Sequence, residues 1–190
     1  MTTPLLLQRP LREQAAGLRN GTLSATKLAE AANEAHRTRG TYDNAYLTWQ
    51  GEAALAFAQA TDAVIARGGD SGPLMGIPVS VKDLYAVPGL PTYAGSSQRL
   101  PANWEQPGPL MSVLLAQLPS LMGKTHTVEF AFGGLGSNAP VRATSRIAQG
   151  ADNTTKRPRA TPGTARIKCH VQDTPKRPSR TNYNDVIISV

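Results

Sequence analysis

Apolar residues recur at helical spacing through much of the first 140 residues. Two helices are predicted over residues 11–19 and 25–37, and Ser24 is a suitable N-cap for the second. A third helix is predicted over residues 52–67, which are rich in alanine and contain neither glycine nor proline. The N-terminal part of the chain is therefore expected to be predominantly helical.

Short apolar runs separate these helices and predict strands at residues 45–49, 77–81 and 120–123. Further helices are predicted from Pro109 to Gln117 and from Thr127 to Phe132. Helices that alternate with short apolar strands indicate an α/β fold in which helices pack on a sheet.

The sequence changes character near residue 140. Before it there are ten Lys or Arg and ten Asp or Glu, whereas the last fifty residues hold ten and three, so the net charge of +7 lies entirely in the tail. The tail has few large apolar residues before Val186, and such a segment cannot bury enough apolar surface to offset the entropy of ordering. We expect a folded domain over residues 1–139 and a disordered basic tail over 140–190.

The basic tail could bind nucleic acid by neutralising phosphates. Because Tyr183 is its single aromatic residue, it offers little base stacking, and we expect only weak, non-specific affinity. A non-enzymatic basic binding protein is therefore one alternative function. A single cysteine, Cys169, excludes an internal disulfide, and Leu5–Leu7 is too short for a signal peptide or membrane span, which favours a cytoplasmic protein without membrane contact.

Lys82 directly follows the predicted strand at 77–81. Burial at the end of a strand would lower the pKa of this lysine and allow its neutral amine to take a proton from a serine hydroxyl. The alternative is a solvated lysine paired with Asp83, which is common at strand ends. Ser96 and Ser97 follow a glycine, so their turn could direct hydroxyl groups at a ligand or be an ordinary polar turn.

Other candidate sites lack the residues their chemistry needs. Residues 123–125 read Gly-Lys-Thr, but Leu118 stands where a phosphate-binding loop requires glycine. The glycines at 133–136 lack dinucleotide-binding spacing. His126 and Glu129 lie three residues apart on a predicted helix, without a third metal ligand at recognisable spacing. We therefore expect no nucleotide, metal or other cofactor.

Three segments together resemble the amidase signature family. They are LREQAAGLRNGTLSATKLAEAA at residues 11–32, GPLMGIPVSVKDLYAVPGLPTYAGSS at 72–97 and GKTHTVEFAFGGLGSN at 123–138. They occur in the family's order and at plausible separations, and the resemblance covers about residues 10–139.

The resemblance implies part of an amidase-type mixed sheet wrapped by helices. It also implies hydrolysis of the carbon–nitrogen bond of a small-molecule amide through an acyl-enzyme, catalysed by one lysine and two serines without a cofactor. Lys82 matches the family's lysine and would be the catalytic base. Ser96 and Ser97 would lie near the substrate in a supporting role.

The serine pair of the family should follow soon after Asn138 in segments rich in glycine and serine. The serines beyond residue 140 are Ser145, Ser179 and Ser189, and none has the expected glycine neighbours. We therefore expect an inactive, truncated amidase whose residues 140–190 could arise from a shifted reading frame. A remnant of an amidotransferase A-type subunit is the other alternative, since the same family supplies those subunits.

Overall fold

The computed structural model describes residues 4–40 and 44–132, together with the backbone of four short strands. These strands are β4 (Ser137–Asn138), β5 (Ala143–Thr144), β6 (Ala165–Ile167) and β7 (Val186–Ile188). The predicted tail at 140–190 otherwise lies outside the described residues, and its disorder stays a prediction.

Four of the described helices match the predicted positions closely, whereas the first helix and the 3₁₀ turn at Ala102–Glu105 were not predicted. They are α1 (Pro4–Leu7), α2 (Leu11–Arg19), α3 (Ala25–Ala35), α4 (Gly51–Ala66) and α5 (Pro109–Ala116), with a π-helical turn at His36–Gly40 and a 3₁₀ turn at Ala102–Glu105. The predicted cap of α3 is confirmed, because the side chain of Ser24 accepts a hydrogen bond from the backbone N–H of Lys27. Among the described residues, no helix combines the length and apolar character needed to cross a bilayer.

Three strands form a mixed sheet in the order β1-β3-β2, with β1 at Tyr46–Trp49, β2 at Pro78–Lys82 and β3 at Ser120–Thr125. The central strand β3 runs antiparallel to β1 and parallel to β2. This strand continues two residues beyond the predicted end at Gly123. The extension matters for the site, because it brings Lys124 and Thr125 beside the end of β2.

The core lies between this sheet and the helices. Ile77, Val79 and Val81 are fully buried and pack in one cluster with Leu28 of α3 and Met111 of α5. Burying side chains of this size is the largest favourable contribution to folding. The core therefore anchors β2, the strand that carries Lys82 at its end.

The helix predicted over residues 127–132 is wrong. The chain forms a 3₁₀ turn at Glu129–Ala131, in which Phe130 and Ala131 have left-handed φ values of 46° and 56°. The backbone N–H of Phe130 donates 2.7 Å to the carbonyl of Ala94, so this segment binds a neighbouring loop and does not continue a helical ladder.

Candidate active site at the ends of two parallel strands

Lys82 is the last residue of β2 and is half-buried. Its register partner on β3 is Thr125. Because side chains alternate along a strand, Lys82 shares a sheet face with Ser80. The Ser80 hydroxyl forms a 2.6 Å hydrogen bond with the hydroxyl of Tyr46, so two joined hydroxyl groups lie on the lysine's side of the sheet.

Asp83, the residue after Lys82, ties the end of β2 to its surroundings through both backbone and side chain. Its N–H donates to the carbonyl of Thr125, and its own carbonyl accepts from the N–H of Ala94, each at 3.0 Å. Its carboxylate accepts from the N–H of Tyr93 at 3.1 Å. The loop from 84 to 94 is therefore closed at its base by the residue next to Lys82.

Lys124 completes this closure from β3. Its side chain is 0% exposed, and its Nζ lies 2.6 Å from Oδ1 of Asp83. The same ammonium donates to the carbonyl of Pro91 and to the hydroxyl of Thr92, both at 2.9 Å. An ammonium has three N–H bonds, and here it has three oxygen neighbours. Lys124 thus fixes the loop electrostatically as well as by hydrogen bonding.

The turn that carries the two predicted serines packs tightly against the segment after β3. Gly95 has a φ of +78°, and a Cβ there would lie 2.8 Å from backbone atoms of residues 127–129. The Ser96 hydroxyl accepts a hydrogen bond from the N–H of Gln98, and Ser97 is exposed. The structure places this turn directly after Ala94, which binds Asp83, and any contact of the serines with a substrate stays a prediction.

An aromatic cluster borders the hydroxyl pair. The ring of His36 stacks on Trp49 at 3.8 Å, and Tyr46 meets both rings edge-on. Desolvation lowers the pKa of His36. Burial raises the pKa of Tyr46, and its hydrogen bond with Ser80 opposes that rise only in part. The Tyr46 phenol is therefore neutral at physiological pH and can share its proton with Ser80.

The candidate metal pair is not on a helix. His126 follows β3, its N–H donates to the carbonyl of Ala45, and Glu129 begins the 3₁₀ turn with an exposed side chain. Desolvation lowers the pKa of His126, opposed by the charge of Asp83. Within the part of the chain that the structure describes, no three His, Cys, Asp or Glu residues are grouped as metal ligands.

Sequence reasoning missed the buried pair formed by Lys124 and Asp83. The strand was predicted to end at Gly123, so Lys124 was considered only as part of a phosphate-binding loop. One signal was available, because Lys124 follows the apolar Met122 at the two-residue period of a strand face. A lysine on such a face requires a buried acceptor, and Asp83 is the acidic residue beside the neighbouring strand.

A mixed sheet packed against helices, with a half-buried lysine at the end of one strand, defines an α/β domain. The amidase family model matches residues 28–154, so the chain belongs to the amidase family.

Individual relatives agree with this assignment. The chain is 53% identical over 129 residues to the 2-amino-5-chloromuconic acid deaminase of Comamonas testosteroni, a match covering 68% of this chain and 28% of the relative. It is 35% identical to the A-type subunit of the glutamyl-tRNA(Gln) amidotransferase of Anaeromyxobacter dehalogenans, covering 73% and 29%. A crystal structure of an amidase superposes with a TM-score of 0.65 and 32% identity, covering 71% and 31%. The chain thus spans about three-tenths of the length of these proteins.

Proposed function

We propose that this chain is the lysine-bearing part of a hydrolase of carbon–nitrogen bonds, with Lys82 as the general base. The observation that carries the proposal is the position of Lys82, half-buried at the end of β2 inside the matched family segment. Partial burial disfavours the ammonium form of a lysine. It therefore favours the neutral amine that a general base needs near neutral pH.

In the proposed mechanism the neutral Nζ of Lys82 takes a proton from a serine hydroxyl, and the serine oxygen attacks the substrate carbon. The carbon–nitrogen bond then breaks as the proton passes to the departing nitrogen, and a water molecule attacks the serine-bound carbon, which releases the product and restores the serine hydroxyl. The chain lacks the glycine-flanked serines for this step, so we propose that it does not turn over by itself. Ser96 and Ser97 would contact the substrate beside the base.

The identity to individual relatives favours one substrate class. The chain is more similar to the Comamonas deaminase, at 53%, than to the amidotransferase A-type subunit, at 35%. We therefore propose an amino-substituted muconic acid as the substrate class of an intact protein, ahead of the amide group of a glutamine. A nucleic-acid-binding role of the basic tail stays a prediction on residues outside the described ones.

A chimera tests the role of Lys82. Residues 1–132 of this chain replace the matching segment of the Comamonas deaminase, and release of ammonia from 2-amino-5-chloromuconic acid is measured. We expect the chimera to be active, and Lys82→Met to lower kcat by about 10²–10⁴, the usual contribution of a general base. The 190-residue chain alone should release no ammonia.

Lys27→Met is the matched control, because Lys27 is exposed on α3. It removes a lysine of the same size and should leave kcat unchanged. Full activity of the Lys82→Met chimera would remove Lys82 from the mechanism. A second chimera, built into an amidotransferase A-type subunit, tests the substrate class, since better retention of activity there would favour the amidotransferase alternative.

A further inference from the structure

We propose that Lys124 is a positioning residue that neutralises the carboxylate of Asp83 and thereby prevents it from holding the neighbouring Lys82 in its charged form. The inference deepens the proposed function, because it rests on Lys82 being the base. It assigns opposite roles to the two lysines at the strand ends.

The first step concerns the carboxylate. Asp83 follows Lys82 directly, and consecutive Cα atoms are about 3.8 Å apart, so the two charged groups can never separate by more than roughly 13 Å. Asp83 is fully buried, where a charge acts over a longer range than in water. An uncompensated carboxylate there would favour the ammonium form of Lys82, which is the wrong form for a base.

The second step concerns Lys124. Its ammonium lies 2.6 Å from Asp83 and also binds Pro91 and Thr92. Having three oxygen neighbours and no exposed surface, Lys124 is a fixed cation and cannot itself meet a substrate. Its charge cancels that of Asp83 on one side of the sheet, while Lys82 remains half-buried on the other side.

In the part of the chain that the structure describes, the other charged side chains near β2 are exposed or half-buried. The helix α3 packs against β2, and its charged residues are the exposed Lys27 and Glu30 and the half-buried Glu34. His126, after β3, and Tyr46, on β1, are the nearby titratable groups whose pKa values are shifted toward the neutral form. Among the described residues, Asp83 and Lys124 are the fully buried charged side chains. Glu105 accepts from the N–H of Thr92, and its pKa is lowered mainly by Arg99 and in part by the charge of Lys124. The strand β7 also packs against β2, and its three residues are uncharged.

The experiment follows the reactivity of the Lys82 amine with pH in the full chain. An amine-specific reagent labels the folded protein at a series of pH values, and peptide mass spectrometry resolves Lys82 from the other five lysines. The pH at which Lys82 labelling is half-maximal in the wild-type chain tests the proposed function. We expect it to lie below the ordinary lysine value of about 10.4, and an ordinary value would remove Lys82 as a base.

Two charge variants test the inference separately. Lys124→Met leaves Asp83 uncompensated and should raise the Lys82 midpoint by about 0.5–1 pH unit, whereas Asp83→Asn leaves Lys124 uncompensated and should lower it by a similar amount. These opposite shifts are expected whatever the wild-type midpoint is, so the two proposals fail independently. Shifts in the same direction, or none, would overturn the role assigned to Lys124.

Met122→Ala is the matched control, because Met122 is buried on β3 two residues before Lys124 and is uncharged. A purely structural role would move the midpoint in all three variants toward that of a free lysine. We expect Met122→Ala to leave it unchanged. If Lys124→Met does not fold, Lys124→Gln keeps donors for Pro91 and Thr92 while removing the charge, and the same upward shift is expected.

Discussion

The ends of β2 and β3 are neighbouring and parallel and each carries a lysine, yet the two lysines have different surroundings. Lys82 ends its strand half-buried on the face that carries the Ser80–Tyr46 hydroxyl pair. Lys124 lies one residue before the end of its strand, is 0% exposed and contacts Asp83. One lysine keeps contact with solvent, and the other is enclosed by the fold.

The difference means that burial alone would not select Lys82, the proposed base, over Lys124. A fully buried ammonium held by an ion pair and by hydrogen bonds acts as a structural cation, whereas partial burial would let an amine exchange its proton with a ligand. The comparison between the two lysines can be tested directly by changing each of them and the contacts that separate them.

The largest effect is expected from removing the buried cation. Lys124→Met leaves the buried carboxylate of Asp83 unpaired and should lower the free energy of unfolding by about 3–5 kcal/mol. Lys82→Met should change it by no more than about 1 kcal/mol. Urea denaturation followed by circular dichroism measures both. Equal losses would show that the two lysines contribute alike to stability, and the double variant Lys124→Met/Asp83→Leu should recover much of the loss.

The contact between the serine turn and the segment after β3 gives the next largest effect. Gly95→Ala places a Cβ 2.8 Å from backbone atoms and should cost about 2–4 kcal/mol, the sum of left-handed strain and a steric clash. Gly89 has a similar φ of +81° but open space around it, so Gly89→Ala isolates the strain and should cost about 1–2 kcal/mol. The same cost at both positions would mean that the turn does not need its close approach to residues 127–129.

The hydroxyl pair on the face of Lys82 should have a smaller effect. Tyr46→Phe removes the 2.6 Å hydrogen bond to Ser80 and should lower the free energy of unfolding by about 1 kcal/mol. A double-mutant cycle with Ser80→Ala measures the coupling between the two hydroxyls. Strictly additive effects of the two substitutions would show that the bond contributes nothing to stability.

The smallest effect is a pH dependence from the aromatic cluster. Desolvation lowers the pKa of His36 in the folded state. As the pH falls below about 6.5, His36 is therefore protonated in the unfolded chain before it is protonated in the folded one. Stability should be complete above that value and decrease as the pH falls towards the lowered pKa of the folded state. His36→Gln should flatten this dependence in urea midpoints measured from about pH 7.5 to 5. His126, whose pKa is also lowered, contributes separately, and His126→Gln shows how much of the slope remains.

The sequence predicted the helices and strands well where local signals agree with packing. The alanine-rich segment predicted α4, and Ser24 predicted the start of α3, because propensity and capping are local properties. The end of β3 was missed because Lys124 is tolerated there only through Asp83, which lies 41 positions earlier in the chain. The helix predicted after β3 was wrong because Phe130 binds Ala94, again a partner distant in sequence. Lys82 was found through a family motif and its predicted strand, whereas the charge compensation beside it requires the register of β2 and β3.

The ion pair between Asp83 and Lys124 also sets an order of events during folding. Asp83 precedes β3 in the chain and is synthesised first. The parallel strands β2 and β3 can pair only after the crossover between them is complete. Until Lys124 arrives, burying Asp83 would remove an unpaired carboxylate from water, which is costly. We therefore expect the loop at 84–94 to close late, after β3 has docked, so that the end of β2 remains open to water during the early steps of folding.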